Sequence, residues 1–220
     1  MTVEFQDVSF RYNDVELLKN ISFKIESGSW IALKGDSGCG KSTICHLICG
    51  IIPRNIKGNF SGRILIDGRD IRDFSFREIV ENIGIVFQDP NRQLFSISVL
   101  DEMAFALENF NYSREDMVRI IDETIALTGI EELKNSKIRS LSGGQMQLVA
   151  LASVLILKPK ILILDEALSQ LDDESTDKML KVIKKVNDSG TTVIMVEHSD
   201  EKLIYADKIY HVENHGLKEF

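Results

Sequence analysis

The segment Gly35-Asp36-Ser37-Gly38-Cys39-Gly40-Lys41-Ser42 is the most informative part of this sequence. It matches the pattern G-x-x-x-x-G-K-[ST] at every position. The apolar run Trp30–Lys34 leads into it as a predicted strand, and residues 43–52 follow as a predicted helix. In this context the backbone N–H groups of a glycine-rich loop converge on an anion at a helix N-terminus. The segment therefore predicts a phosphate-binding P-loop.

Each residue type in this loop suits the binding of a nucleoside triphosphate. Glycine lacks a Cβ and tolerates positive φ, so the backbone can wrap closely around a phosphate group. Lys41 is expected to reach the β- and γ-phosphates, and the Ser42 hydroxyl is expected to bind Mg²⁺. The residues predicted to bind the nucleotide are Gly35, Asp36, Ser37, Gly38, Cys39, Gly40, Lys41, Ser42 and Thr43.

Composition narrows the class of protein. A chain of 220 residues suits one domain, or one domain with a subdomain. The net charge of −8 argues against a nucleic-acid partner, which normally meets a basic face. The longest apolar run, residues 148–157, is too short to span a bilayer. The N-terminus lacks the apolar segment of a secretion signal. We therefore expect a cytoplasmic protein, with any membrane-spanning part supplied by another chain.

Short apolar runs alternate with helical patterns, which predicts an α/β fold. Residues 161–164 and Thr192–Val196 are typical of strands that are buried on both faces of a parallel sheet. Residues 89–140 carry no strand signal and are expected to form a helical insertion. The other predicted strands are Val3–Tyr12 with residues 21–25 as its partner, residues 62–66 and Ile83–Phe87. The predicted helices are residues 99–108, Arg114–Thr128, 143–157 and 174–187, with a flexible turn at 58–62 and a strand end and tail at 211–220.

Two carboxylates follow the apolar run of residues 161–164. A buried parallel strand delivers such residues to its C-terminal edge, where ligands of α/β sheets bind. Downstream of a P-loop, Asp165 is expected to hold Mg²⁺, and Glu166 is expected to polarise the attacking water as a general base. The sequence therefore predicts hydrolysis of the bound nucleotide.

A second glycine-rich helix start lies far from the P-loop in the sequence. Residues 141–145 precede a long apolar helix and predict another anion-binding N-terminus. Two such helix ends in one chain suggest that a nucleotide is held between two subunits. Here the sequence resembles the ATP-binding-cassette (ABC) ATPases over essentially its whole length, with the motifs in the family's order. The signature loop of that family is matched at every position by Leu141, Ser142, Gly143, Gly144 and Gln145.

The resemblance implies a P-loop NTPase fold of ABC ATPase architecture. Such a fold has a mixed sheet core, an antiparallel β subdomain and a helical subdomain. In this chain the resemblance implies a single domain over residues 1–220, with the helical subdomain inserted at roughly residues 89–150.

The resemblance also implies roles for residues outside the P-loop. Tyr12 matches the aromatic that stacks on adenine, and Gln88 matches the glutamine that contacts Mg²⁺ and water. His198 matches the switch histidine that contacts the γ-phosphate. Ser169 and Asp172 belong to a segment that resembles the D-loop at the dimer interface. The implied catalytic set is Glu166, His198, Lys41 and Gln88, and the implied Mg²⁺ set is Ser42, Gln88 and Asp165.

The family's mechanism implies two partners for this chain. Two ATPase subunits bind head to tail, and the signature loop of one caps the ATP held by the other. ATP closes this dimer, hydrolysis reopens it, and the cycle drives an integral membrane transporter subunit. The resemblance therefore implies a second ABC ATPase subunit, a membrane subunit, ATP and Mg²⁺ as cofactors, and a peripheral position at the cytoplasmic face of the membrane.

Two segments resemble one branch of the family in particular. Residues 86–93, Val-Phe-Gln-Asp-Pro-Asn-Arg-Gln, and residues 99–109 look like the ATPases of energy-coupling-factor (ECF) importers, which take up vitamins or cobalt and nickel ions. By this resemblance Asp101, Glu102 and nearby apolar residues line a groove for helices of the transmembrane subunit. The alternatives are a generic ABC helical subdomain, the ATPase of an exporter or a lipoprotein-release system, and a soluble ABC ATPase without a transport role.

Four positions depart from the family's pattern. Met146 and Leu148 replace a basic residue and an arginine after the signature, and Ser153 stands where an arginine is common. Leu168 replaces the usual threonine before Ser169. The first three changes remove positive charge near the signature helix, and they leave open whether the second ATPase subunit is a copy of this chain or a different chain.

Overall fold

The computed structural model describes residues 1–219 of the chain. Within these residues it contains ten strands and seven α-helices. The strands are β1 (Val3–Tyr12), β2 (Val15–Ile25), β3 (Trp30–Lys34), β4 (Asn59–Ile66), β5 (Arg69–Asp70), β6 (Ile83–Phe87), β7 (Ile161–Asp165), β8 (Thr192–Val196), β9 (Lys208–Glu213) and β10 (Gly216–Glu219). The helices are α1 (Lys41–Ile48), α2 (Ile51–Arg54), α3 (Phe76–Asn82), α4 (Val99–Asn109), α5 (Arg114–Thr128), α6 (Gly143–Leu155) and α7 (Asp173–Asp188). This alternation confirms the α/β fold that the sequence predicts.

The larger sheet carries the P-loop. Its strand order is β10-β9-β3-β8-β7-β6, and all neighbours are parallel except the β9–β10 hairpin. Alternate residues of each inner strand enter two separate cores. In β7, Ile161 and Ile163 pack with α1 and the smaller sheet, whereas Leu162 and Leu164 pack with α6 and α7. The sheet is therefore covered on both faces, as the apolar strands predict.

The smaller sheet is antiparallel, with strand order β2-β1-β4-β5. The predicted partner strand, residues 21–25, is too short, because β2 begins at Val15. Register shifts between β1 and β2 interrupt the alternation of apolar and polar residues, so the pattern does not show the earlier part of β2. The predicted flexible turn at residues 58–62 is also wrong. β4 begins at Asn59, and Gly62 adopts a φ of +87° at an irregularity opposite Asp7.

Three helices, α4, α5 and α6, follow β6 and precede β7 in the chain. Each begins at a serine whose side chain accepts the N–H of the residue three positions later: Ser98, Ser113 and Ser142. Their apolar faces share one core with α7 and one face of the larger sheet. Leu148 and Leu168, two departures from the family pattern, are both buried in that core.

Three predicted elements end or continue differently, and one helix has no counterpart in the prediction. The helix after the P-loop stops at Ile48, because Gly50 takes a left-handed φ of +63° and a new short helix starts at Ile51. α6 stops at Leu155, two residues before the predicted end. α3 was not predicted from the sequence. The predicted tail instead pairs with β9 as β10, although Phe220 lies outside the described residues.

Within residues 1–219 no helix is both long and apolar enough to cross a membrane.

Candidate functional site

The loop between β3 and α1 closes around its own lysine. Gly35 adopts a φ of +147°, and a Cβ at this position would lie 2.4 Å from the carbonyl oxygen of Val212, so only glycine fits. Lys41 is 4% exposed, and its Nζ donates to the carbonyl oxygens of Gly35 at 2.9 Å and Asp36 at 2.8 Å. The strand–loop–helix geometry that the sequence predicts is therefore present, with the ammonium group inside the loop.

Ser42 and Asp165 meet where α1 begins and β7 ends. The Oγ of Ser42 donates to Oδ1 of Asp165 at 2.9 Å. Burial raises the pKa of Asp165, and the Ser42 bond and the charges of His46 and Lys41 oppose that rise. Mg²⁺ prefers oxygen ligands and commonly takes only one or two from the protein, with phosphates and water as the others. A hydroxyl and a carboxylate at hydrogen-bond distance are a donor set of this type.

Glu166 and His198 face each other across the ends of two neighbouring parallel strands. The Nε2 of His198 lies 3.1 Å from Oε1 of Glu166. Glu166 adopts a φ of +54°, and its N–H donates to the carbonyl oxygen of Val196 at 3.2 Å. Both side chains keep part of their surface exposed. The arrangement places a carboxylate and an imidazole together at a solvent-accessible edge, where they can hold a water molecule and share its proton.

Gln88 joins this edge from the end of β6. Its Nε2 donates to Oγ of Ser169 at 3.2 Å, and the Ser169 N–H donates to the Glu166 carbonyl oxygen at 3.0 Å. Asp172 does not share this contact. Its carboxylate caps α7 by accepting the N–H of Ser175 at 2.8 Å. The predicted D-loop thus contacts Gln88 through Ser169 and starts a helix through Asp172.

One polar cleft collects four of the six side chains predicted for catalysis or for Mg²⁺ binding. It is lined by Ser42, Gln88, Asp165 and Glu166 together with Phe87, Asp89, Arg92, Gln170 and His46. His46 had no role assigned from the sequence, although it lies four positions after Ser42 and therefore on the same face of α1. Burial lowers the pKa of His46, and the charge of Asp165 opposes that effect.

The signature loop lies at the surface, on the N-terminus of α6. Ser142 and Gln145 form a reciprocal cap, in which the Ser142 N–H donates to Oε1 of Gln145 at 2.9 Å and the Gln145 N–H donates to Oγ of Ser142 at 3.3 Å. A Cβ at Gly144 would lie 2.4 Å from Oγ of Ser175, so α6 and α7 touch here. Among the described residues, no hydrogen bond or ion pair joins this loop to the P-loop of the same chain.

Tyr12 lies at the end of β1, half-buried against the edge of the Phe10 ring with the centroids 4.7 Å apart. Burial raises the pKa of its hydroxyl. The neighbouring strand β2 packs against the P-loop, because Leu18 approaches within 3.0 Å of an ideal Cβ on Gly40. The antiparallel sheet that carries Tyr12 therefore borders the phosphate loop.

Two glutamines that were not predicted as site residues fix the backbone before Gln88. The Phe87 N–H donates to Oε1 of Gln93 at 3.1 Å, and Nε2 of Gln147 donates to the Phe87 carbonyl oxygen at 2.8 Å. Gln147 is 1% exposed and lies on α6, two residues after the signature loop. In the sequence Gln147 is a polar amide within an apolar helix, and this pattern does not identify Phe87 as its partner.

Comparison with known proteins shows what the chain is similar to. Residues 18–169 match the family model described as ABC transporter. The chain is 41% identical to a Pyrococcus horikoshii protein named as an ABC transporter ATP-binding protein, over 94% of this chain and 74% of that protein. It is 39% identical, over 94% of this chain and 74% of the relative, to the energy-coupling factor transporter ATP-binding protein EcfA1 of Lactobacillus acidophilus. A similar solved structure is cbiO1 from Clostridium perfringens, described as part of the ABC transporter complex cbiONQ, with a TM-score of 0.88, 34% identity, and coverage of 98% of this chain and 86% of that one.

Proposed function

Because the chain belongs to the ABC transporter family of ATP-binding proteins, we propose that it is the ATPase subunit of an importer of the energy-coupling-factor type. As a member of this family it binds and hydrolyses ATP, works as a dimer and serves membrane transporter components. The importer class is supported by the likeness to EcfA1 and to cbiO1. The observation that carries the ATPase reaction is the cleft in which Ser42, Asp165 and Glu166 meet, with Nε2 of His198 3.1 Å from Glu166.

In the proposed reaction the P-loop binds the phosphates and the strand ends act on water. Lys41 and the backbone N–H groups of the loop neutralise the phosphate oxygens. Ser42, Asp165 and Gln88 would hold Mg²⁺, which supplies charge neutralisation of the β- and γ-phosphate oxygens. Glu166 accepts a proton from the attacking water, and His198 orients Glu166 through their 3.1 Å contact. Tyr12 stacks on the adenine ring.

The signature loop completes a site on a second ATPase subunit. Its residues 141–145 are at the surface and are not joined to their own P-loop, which suits a role toward another subunit. The N-terminus of α6 favours negative charge, so the γ-phosphate of the partner's ATP is the expected ligand. ATP binding then closes the dimer, and hydrolysis reopens it.

An exposed apolar groove provides the surface for the membrane subunit. Phe76, Phe105 and Phe110 line it with Val80 and the stem of Arg77, between α3 and α4. Exposed apolar patches of this kind mark interaction sites, and a groove between helices suits an apolar helix of a partner. The chain would then act at the cytoplasmic face of the membrane, with the transported substrate chosen by the membrane subunits.

Glu102 does not line this groove as the resemblance implied. It is 5% exposed, and its Oε2 accepts the N–H groups of Phe95 at 3.2 Å and Ser96 at 2.9 Å. It therefore holds the loop that presents Phe95, whose ring packs edge-on against Phe105 with the centroids 4.6 Å apart. Asp101 remains exposed and bonds Ser98.

Co-purification tests the importer assignment. The chain is coexpressed with energy-coupling-factor transmembrane subunits from its source organism, and the complex is isolated in detergent. We expect a stoichiometric complex that Phe105→Asp abolishes, because the charge would be buried in the groove. Val118→Asp is the matched control, since Val118 is equally apolar and 55% exposed but lies on α5, outside the groove. ATP hydrolysis without any such complex would favour an exporter ATPase or a soluble ABC ATPase instead.

A further inference from the structure

Glu197 is a buried carboxylate that the reaction described above does not use. It lies between the end of β8 and His198, and it is 3% exposed. Its Oε1 accepts the N–H of His198 at 2.8 Å and the N–H of Ser199 at 3.2 Å. Two charge-assisted hydrogen bonds from successive backbone amides fix the path of the chain at the histidine. The Glu197 side chain therefore sets the direction in which the His198 side chain leaves the backbone.

The second carboxylate oxygen of Glu197 has no hydrogen-bond partner among the described residues. The Nζ of Lys202 lies 3.8 Å from it and donates instead to the carbonyl oxygen of Leu168 at 2.6 Å. A buried carboxylate oxygen without a hydrogen bond is costly, so its surroundings need an explanation. The nearby ammonium group lowers that cost, and it can form a full bond with Glu197 once it leaves Leu168.

The short turn Asp200–Lys202 connects this carboxylate to two other parts of the site. Lys202 reaches Leu168, which immediately precedes Ser169 of the predicted D-loop. Asp200 forms an ion pair with Lys34, the last residue of β3 before the P-loop. The segment that carries His198 is thus tied both to the strand that enters the P-loop and to the segment that follows Glu166.

We propose that Glu197 is the positioning residue of His198, and that Lys202 links it to the segment after Glu166. The inference rests on the proposed role of His198 in orienting Glu166. If the Leu168 carbonyl moves away, Lys202 is free to bond Oε2 of Glu197. The ammonium group then pairs with the same carboxylate that holds the His198 and Ser199 amides.

Amide hydrogen exchange, resolved by residue with NMR, tests the positioning role without requiring activity. In Glu197→Ala the His198 and Ser199 amides lose their acceptor, and we expect their exchange to rise about tenfold or more. Glu197→Gln keeps a carbonyl oxygen at the Oε1 position and should restore most of the protection. Lys202→Met should shift the His198 imidazole signals and leave those of His215 unchanged. Unchanged exchange at His198 in Glu197→Ala would overturn the proposal.

Steady-state hydrolysis supplies the second readout, on the same variants. A positioning residue lowers kcat while KM for ATP stays within about twofold, because the P-loop contacts are intact. The matched control is Asp207→Ala, which removes a carboxylate that accepts the Trp30 N–H at 2.7 Å at the opposite end of β3. It should lower the melting temperature without changing kcat or His198 exchange.

The variants also separate this inference from the proposed function. If Glu197→Ala lowers kcat only in proportion to a loss of folded protein, as Asp207→Ala would, Glu197 is merely structural. If Glu197→Ala does not fold, Glu197→Gln and Lys202→Met carry the test through the same two readouts. A wild-type chain that hydrolyses no ATP, alone or with a second ATPase subunit, contradicts the proposed function, while the exchange data still decide the positioning of His198.

Discussion

Oγ of Ser42 donates to Oδ1 of Asp165 at 2.9 Å, although the two residues are 123 positions apart in the sequence. The bond joins the first turn of α1 to the end of β7, and so joins the phosphate loop to the strand that delivers Glu166. The proposed Mg²⁺ site and the proposed catalytic carboxylate therefore share one rigid support.

Asp165→Asn should raise stability while abolishing hydrolysis. Burial raises the pKa of Asp165, so the ionised carboxylate costs folding free energy, and a neutral amide of the same shape removes that cost. We expect a gain of about 0.5–2 kcal/mol at neutral pH and a fall in kcat of about 100-fold or more. Chemical denaturation and a phosphate-release assay measure the two effects.

The pH dependence checks the cause of that gain. A carboxylate whose folded pKa is raised destabilises the fold fully above its folded pKa, and the penalty disappears as pH falls below its unfolded value of about 3.9. The stability difference between Asp165→Asn and wild type should therefore be largest at neutral pH and shrink toward pH 4. A variant that is less stable than wild type at neutral pH would mean that the Ser42 bond outweighs the cost of burial.

Cys39 should be the one thiol of the native chain that reacts quickly with iodoacetamide. It is partly exposed in the phosphate loop, whereas Cys45 and Cys49 are buried. Burial raises the pKa of Cys45 and raises that of Cys49 to about 12, so both stay protonated and unreactive. Saturating ATP should slow the alkylation of Cys39, because the phosphates cover the loop. Mass spectrometry of the labelled peptide follows the rate, and a rate that ATP leaves unchanged contradicts the prediction.

Gly144→Ala should destabilise the contact between α6 and α7. The new Cβ would lie 2.4 Å from Oγ of Ser175, which forces a shift that costs about 1–3 kcal/mol. Gly143→Ala is the matched control, because its Cβ meets nothing within 4 Å and alanine favours a helix. Urea unfolding of the two variants should separate them clearly. Equal stability of the two would show that α7 does not restrain the signature loop at Gly144.

The sequence predicts the residues that act on the nucleotide better than the residues that hold them in place. The P-loop, Asp165 with Glu166, and His198 are each local patterns that follow a buried strand, so each could be placed at a strand end. That Glu166 meets His198 depends on the neighbouring position of β7 and β8, which the chain order does not state. Gln147 bonds a backbone carbonyl 60 positions away, whereas Gln93 and Glu197 bond nearby backbone amides. In none of the three cases does the spacing of residue types identify the partner.

The apolar groove shows a second limit of the sequence. α3 has seven residues, which is too few to show a helical period of apolar residues. The sequence therefore does not predict which element Phe76 packs against. The sequence does contain a signal for the start of that helix, because Ser75 and Glu78 form a reciprocal cap. The cap marks where α3 begins, but it does not show that Phe76 lies beside α4.

Light scattering of Glu166→Gln with and without ATP shows whether bound ATP joins two subunits. The substitution removes the proposed general base and keeps the side-chain shape, so bound ATP should persist and hold two subunits together. We expect the mass to double with ATP, this doubling to be lost when Lys41→Ala is added, and the wild type to hydrolyse ATP. A Glu166→Gln chain that binds ATP and remains a monomer, beside an inactive wild type, would contradict composite sites built from two copies of this chain.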